Sequence, residues 1–111
     1  MGRVAAGKLD DYRMSRKIEK KILPEYFRYV RRREKTFELR KDDEGYQVGD
    51  ILILREWNGK EYTGSRVTRE ITYILRDVPQ YGLNEGFCIL AVQPVGWREE
   101  QIYATADGES P

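Results

Sequence analysis

The sequence contains no histidine, a single cysteine and no long apolar run. Without histidine, the common zinc sites and histidine-based acid–base or nucleophilic catalysis are excluded. Cys88 has no second cysteine with which to form an internal disulfide. No apolar stretch approaches the roughly 18 residues of a membrane span, and the N-terminus lacks the apolar segment of a signal peptide. We therefore expect a cytoplasmic protein without membrane association.

What the chain does contain is charge. Of its 111 residues, 40% are apolar and 35% are charged. This length and composition predict one soluble domain with one core. We expect a flexible leader over residues 1–15, a folded domain over 16–94 and a partly disordered extension over 95–111. We expect a monomer.

The charges are unevenly distributed along the chain. Residues 1–41 hold 14 Lys/Arg and 6 Asp/Glu, a balance of +8, whereas residues 42–111 hold 6 and 13, a balance of −7. A basic half on a nearly neutral protein can form a patch that attracts polyanions. The alternative is that folding intermixes the two signs.

A short amphipathic helix follows the first strand-like segment, residues 16–23. Leu23, Phe27 and Val30 recur at helical spacing, and Pro24 suits the first turn. This pattern predicts a helix over residues 24–33 with one packed stripe. Its outward side chains are those of Arg28, Arg31 and Arg32.

After the helix the apolar period changes from 3.6 to 2. Over residues 35–41, Phe37 and Leu39 share one face, which we expect to be the buried one, and Glu38 and Arg40 share the other. Three more strands are predicted, at residues 51–57, 66–77 and 86–95, and Asn58-Gly59 marks a hairpin. The predicted fold class is α+β: a small barrel of about five strands with one main helix, 24–33, packed at one end.

The segments "KILPEYF", "KTFELRKDD", "YQVGDILILREW", "EYTG", "ITYILRD" and "GFCILAV" resemble, in order and spacing, the DUF3850 family. This family is a branch of the ASCH domains in the PUA-like superfamily. The resemblance extends from Lys21 to about Val92. It implies a PUA-like β-barrel, a cleft between helix and barrel associated with RNA or nucleotide recognition, and occurrence in bacteria and phages.

The resemblance also directs attention to individual positions. ASCH domains typically show Gly-x-Lys-x-x-Glu-x-Arg at the end of the first helix, and Lys35, Glu38 and Arg40 match its last three positions. Arg33 stands in place of the glycine; because arginine resists positive φ, we expect the helix to run a turn longer. ASCH proteins that resemble nucleoside amidohydrolases carry a threonine where this chain has Glu38.

These residues predict a polar cleft. Two residues apart on a strand, Glu38 and Arg40 can pair, and Lys35 can reach the same place. A carboxylate held between two cations can accept hydrogen bonds from a base, while arginine grips phosphate or a base edge. Peripheral candidates are Lys41 on the cationic rim, Tyr62 and Thr63 on a loop over the cleft, and Arg28, Arg31 and Arg32 for phosphate attraction.

Several functions are compatible with this pattern. The main prediction is a binding module for RNA or a nucleotide, with DNA as a further candidate ligand. The alternative is a small hydrolase, a nucleoside amidohydrolase or ribonuclease, that uses Lys35 and Glu38 as acid and base. Glu38 and Arg40 can also be no more than a structural ion pair. A phage accessory that binds a host protein is a third possibility. No cofactor is predicted. No metal site is predicted either, since Asp42, Asp43 and Glu44 are expected to point apart.

Overall fold

The structure is a computed structural model that describes residues 15–99. Five strands, one α-helix and one short 3-10 helix follow one another over residues 17–94, and residues 97–99 are also helical. They are β1 (Lys17–Ile22), α1 (Pro24–Arg31), β2 (Phe37–Lys41), β3 (Ile51–Trp57), β4 (Tyr62–Arg76), the 3-10 helix Pro79–Tyr81 and β5 (Phe87–Pro94). The predicted α+β class, with a short strand, a helix and then four strands, is confirmed.

All five strands form one curled sheet in the order β1-β3-β4-β5-β2. The β1–β3 pair is parallel and the other three pairs are antiparallel. The sheet is a half-barrel with two open edges, β1 and β2, which run antiparallel to each other across the gap. No helix among residues 15–99 is long and apolar enough to cross a membrane.

The core is formed mainly by side chains of the sheet and of α1. Its largest fully buried side chains are Phe27, Val30, Leu52, Leu54, Ile71, Cys88, Leu90 and Val92. Strand β3, which was predicted at residues 51–57, buries Ile51, Leu52 and Leu54. Helix α1 contributes Phe27 and Val30, as its stripe predicted, whereas Leu23 precedes the helix and is exposed.

Helix α1 ends at Arg31, so the predicted end at residue 33, and the expectation of a longer helix, are wrong. Arg33 adopts a left-handed conformation, with φ of 65°. Its N–H donates to the Val30 carbonyl (3.0 Å), and the Glu34 N–H donates to the Tyr29 carbonyl (2.9 Å). This pair of bonds is the Schellman motif. Arginine therefore makes the exit that glycine usually makes, at a conformational cost of about 1 kcal/mol.

Strand β2 has the opposite orientation from the one predicted. Glu38 is only 3% exposed, whereas Phe37 and Leu39 are exposed. Alternation shows which residues share a face but not which face is inward. Here the neighbouring strand decides: Glu38 lies opposite Leu90 of the core, and its charge is tolerated inside because two cations contact it.

Side-chain contacts join β1, and the residue before it, to the connection between β2 and β3, residues 42–50. Arg16 binds Asp50 (2.9 Å) and the Gly45 carbonyl, and Lys20 binds Glu44 (2.6 Å). These pairs join basic residues of the first half to acidic residues of the second, so the charge signs are partly intermixed here.

The predicted domain ends fall mostly outside the described residues. Of the predicted leader, residues 1–15, only Ser15 is described, and of the predicted extension, residues 95–111, only 95–99 are.

Candidate nucleotide-binding cleft

A cleft of about 440 Å³ opens between the two sheet edges, beside the start of α1. It is lined by the end of β1, the first turn of the helix, and β2 with the residue leading into it. Its lining residues are Lys21, Ile22, Leu23, Tyr26, Lys35, Phe37, Glu38, Leu39 and Arg40. The volume is in the range of small-molecule sites. The three residues predicted to form a cleft, Lys35, Glu38 and Arg40, therefore do lie together in one.

A buried carboxylate holds two cations in this cleft. Glu38 Oε2 accepts a hydrogen bond from Lys35 Nζ at 2.8 Å, and Glu38 Oε1 accepts one from Arg40 Nη2 at 3.0 Å. The Glu38 side chain is 4% exposed, whereas those of Lys35 and Arg40 are 18% and 21% exposed. The carboxylate is thus a positioning group, and the cations are the groups that a ligand can reach.

The ammonium of Lys35 keeps unused capacity. It donates to Glu38 and also to the Phe37 carbonyl at 2.7 Å. Since an ammonium has three N–H groups, one remains for a ligand.

Arg40 joins the two edges of the cleft. Besides Glu38, its Nη2 donates to the Lys21 carbonyl of β1 at 3.0 Å. Its Nε is buried without a hydrogen-bond acceptor among the described residues, as is the hydroxyl of Tyr46. Burial raises the pKa of Tyr46, and the charges of Lys20 and Arg40 oppose that rise. Arg40 therefore has a polar contact on each edge and further donor capacity.

Exposed apolar side chains stand beside these cations. Leu23, Tyr26, Phe37 and Leu39 all line the cleft and are all exposed. Lys35 Nζ lies 4.8 Å from the Phe37 ring centre and 5.8 Å from that of Tyr26. Flat apolar surface next to fixed positive charge suits a ligand that is aromatic and anionic.

Tyr62 lies near the cleft without lining it. Its ring packs edge-on against Trp57, with centres 5.0 Å apart, and Arg55 stacks on its face at 3.8 Å. Lys21, which does line the cleft, places its ammonium 3.8 Å from the Trp57 ring centre. Thr63 donates to Glu56 at 2.7 Å and is not part of the lining.

The helix arginines also lie outside the cleft. Arg28, Arg31 and Arg32 are exposed, as predicted, and each guanidinium lies against an aromatic ring of the helix. Lys41 is exposed and does not line the cleft. These four cations are exposed at positions outside the cleft.

The acidic turn after β2 takes part in ion pairs. Arg76 binds both carboxylate oxygens of Asp42, at 2.6 and 3.1 Å, and thereby holds the Asp42 pKa below its usual value. Glu44 binds Lys20, which lowers the Glu44 pKa and raises the Lys20 pKa. Within residues 15–99 no group of three or more His, Cys, Asp or Glu side chains is arranged to hold a metal ion.

A family model described as a domain of unknown function, DUF3850, matches residues 18–92. The chain belongs to the DUF3850 family. The chain is also similar to the "uncharacterized 12.9 kDa protein in GpA 3′ region" of Escherichia phage P2, with 41% identity over 59 residues. That alignment covers 53% of this chain and 54% of the phage protein, so the chain spans about half the length of this relative.

Several lining residues of this DUF3850 domain were not predicted from the sequence. Lys21, Ile22 and Leu23 enter the cleft because β1 forms the opposite edge of the half-barrel. That position depends on a parallel β1–β3 pairing for which the sequence carries no local signal.

Proposed function

We propose that this DUF3850 domain is an ASCH-like member of the PUA-like superfamily that binds RNA or a nucleotide, with a base in the cleft and phosphate on the surrounding cations. The observation that carries the proposal is the pair Lys35 and Arg40, held by the buried carboxylate of Glu38 beside exposed aromatic and aliphatic side chains. A nucleotide combines the same two properties, a flat ring and an anionic phosphate.

The geometry supports a preorganised site. Both cations are held by hydrogen bonds of 2.7–3.0 Å before any ligand arrives. Less side-chain entropy is then lost on binding than with free surface cations. The remaining donors, one on Lys35 Nζ and those of Arg40 Nη1, suit phosphate or carbonyl oxygens.

The exposed cations outside the cleft would extend the same chemistry to a polymer. Arg28, Arg31, Arg32 and Lys41 are exposed cations outside the cleft. Contacts between these side chains and further phosphates would release counterions, so affinity for a polymer should fall steeply as salt rises. A mononucleotide, which reaches the cleft alone, should show a weaker dependence.

The test is a titration of fluorescently labelled single-stranded RNA, single-stranded DNA and duplex DNA, followed by anisotropy at low and moderate salt. Arg40→Ala should lower the affinity at least about tenfold, since a charge-assisted contact contributes on the order of 1.5–3 kcal/mol. Arg66→Ala is the matched control, because Arg66 is exposed on β4 and absent from the cleft lining. It should stay close to wild type.

Arg40→Ala also removes one partner of Glu38, so a second variant separates binding from folding. Lys21→Gln alters a lining residue that makes no ion pair with Glu38. It should weaken binding and reduce the salt dependence by about one phosphate contact. Unchanged affinity in both variants, with the fold intact by circular dichroism, would remove this cleft from the proposal.

The hydrolase alternative stays a prediction. It requires Lys35 and Glu38 to act as acid and base toward a substrate, whereas in the structure Glu38 is bound through one oxygen to Lys35 and through the other to Arg40. The same preparations should be incubated with acylated nucleosides and short RNAs. Product formed by wild type and abolished in Glu38→Gln would favour hydrolysis over binding alone.

A further inference from the structure

The hydrogen-bond register of β2 determines which of its main-chain groups face the cleft. Just before β2, the Thr36 carbonyl accepts from the Val92 N–H at 3.0 Å; just after it, the Asp42 N–H donates to the Gly86 carbonyl at 2.8 Å. Between them, Glu38 lies opposite Leu90 and Arg40 opposite Cys88. In an antiparallel pair, alternate residues exchange both bonds with the neighbour. The even-numbered residues of β2 therefore bond to β5.

The odd-numbered residues present their N–H and C=O groups to the open edge instead. At Phe37 the carbonyl is already covered, because it accepts from Lys35 Nζ at 2.7 Å. Leu39 is the next outward residue; it lines the cleft and is 57% exposed. Across residues 15–99, β2 pairs with β5 and with no other strand, so the outward groups of Leu39 have no strand partner.

One extended residue that turns both groups outward offers a donor and an acceptor side by side. The Watson–Crick edge of an unpaired base likewise carries a donor and an acceptor on adjacent atoms. In uracil, the imino N–H can donate to the Leu39 carbonyl while a ring carbonyl accepts from the Leu39 N–H. A base within a duplex cannot make this contact, because its Watson–Crick edge is already paired.

Within the proposed function, on which this inference rests, we propose that the Leu39 main chain reads the Watson–Crick edge of one unpaired base. The cleft would thus select single-stranded RNA or a free nucleotide over duplex. The short accessible edge favours a base over an added peptide strand, which needs several successive main-chain pairs. Lys21 and Lys35 in the same lining match the charge of the attached phosphate.

Substitutions at Leu39 separate its main chain from its side chain. Leu39→Pro removes the outward N–H, a change that edge strands tolerate, whereas Leu39→Ala keeps the N–H and removes the exposed side chain. For oligouridine, Leu39→Pro should lower affinity about tenfold or more, and Leu39→Ala about threefold or less. Lys41→Pro and Lys41→Ala form the matched control pair, since both lose the cationic side chain and only Lys41→Pro also loses the next outward N–H, at a residue outside the lining. These two variants should bind oligouridine alike.

A modified ligand tests the same contact without altering the protein. Oligo(3-methyluridine) blocks the imino donor, so wild type should bind it about tenfold more weakly than oligouridine. Equal affinity for the two oligomers overturns the inference, even if Leu39→Pro fails to fold, and leaves the edge as a surface for a peptide strand. If binding depends on Arg40 but the affinities for oligouridine and oligo(3-methyluridine) are equal, only the main-chain contact is refuted. Absence of any binding refutes the proposed function as well.

Discussion

Replacing Glu38 with glutamine should reveal how much the buried carboxylate stabilises the fold. The change keeps the side-chain shape but removes the negative charge between Lys35 and Arg40. It also weakens the two hydrogen bonds, of 2.8 and 3.0 Å, that Glu38 accepts. Removing one partner of a fully buried pair costs about 3–5 kcal/mol. Because the two cations here are 18% and 21% exposed, water can partly solvate them. We therefore expect a loss of about 2–3 kcal/mol in the free energy of unfolding.

Urea unfolding followed by tryptophan fluorescence measures this loss, since urea does not screen charge. A decrease of 2–3 kcal/mol corresponds to a fall in Tm of about 8–12 °C for a domain of this size. Glu34→Gln is the matched control: Glu34 pairs with Arg32 at 3.3 Å, and both side chains are 57% exposed. It should cost less than about 0.5 kcal/mol. If Glu38→Gln costs no more than Glu34→Gln, the carboxylate does not organise the cleft and the reasoning fails.

Three further predictions concern the helix exit and the titrating groups. Arg33→Gly should be more stable than Arg33→Ala by about 1 kcal/mol in urea unfolding, because glycine accepts the φ of 65° without a steric cost; equal stabilities would contradict this. Burial raises the pKa of Cys88 from 9.0 to about 11. The stability that the buried neutral thiol contributes is therefore complete below pH 9 and is lost as the pH rises toward 11. Cys88→Ala should flatten that alkaline loss in thermal melts, and a thiol reagent should label the native protein slowly at pH 8. The hydrogen bond from Arg76 lowers the Asp42 pKa. The stability contributed by this ion pair is therefore present above pH 3.8 and is lost as the pH falls through the lower pKa of Asp42 in the folded protein. In an acid titration, the free energy of unfolding of Asp42→Asn should decline less steeply than that of wild type.

Sequence reasoning predicted that Lys35, Glu38 and Arg40 lie together in a cleft, but not which face of β2 points inward. Period-2 alternation correctly separated Glu38 and Arg40 from Phe37 and Leu39, yet the wrong pair was expected to point inward. The inward face depends on the opposite strand and on whether a charge finds partners, and those partners come from residues 35 and 40 only after the chain folds. Hydrophobicity alone therefore favoured the wrong face.

The helix exit shows a second limit of sequence reasoning. A missing glycine predicted a longer helix, but Arg33 accepts the left-handed conformation because two main-chain hydrogen bonds fix the turn. The left-handed conformation costs a non-glycine residue only about 1 kcal/mol, and the surrounding structure can override a preference of that size. The role of β1 as the far wall of the cleft was equally hidden, since it depends on pairing with β3, some 30 residues later.

The strand order has a consequence for how the domain opens. Strands β3, β4 and β5 are joined in sequence and adjacent in the sheet, whereas β1 and β2 occupy its two ends. Edge strands are held on one side only, so their amide hydrogens should exchange with solvent sooner than those of the central three strands. The cleft is built from both ends, and a bound ligand would bridge them. Slower deuterium uptake in both β1 and β2 would then show that a ligand is bound, while the uptake of the central strands stays unchanged.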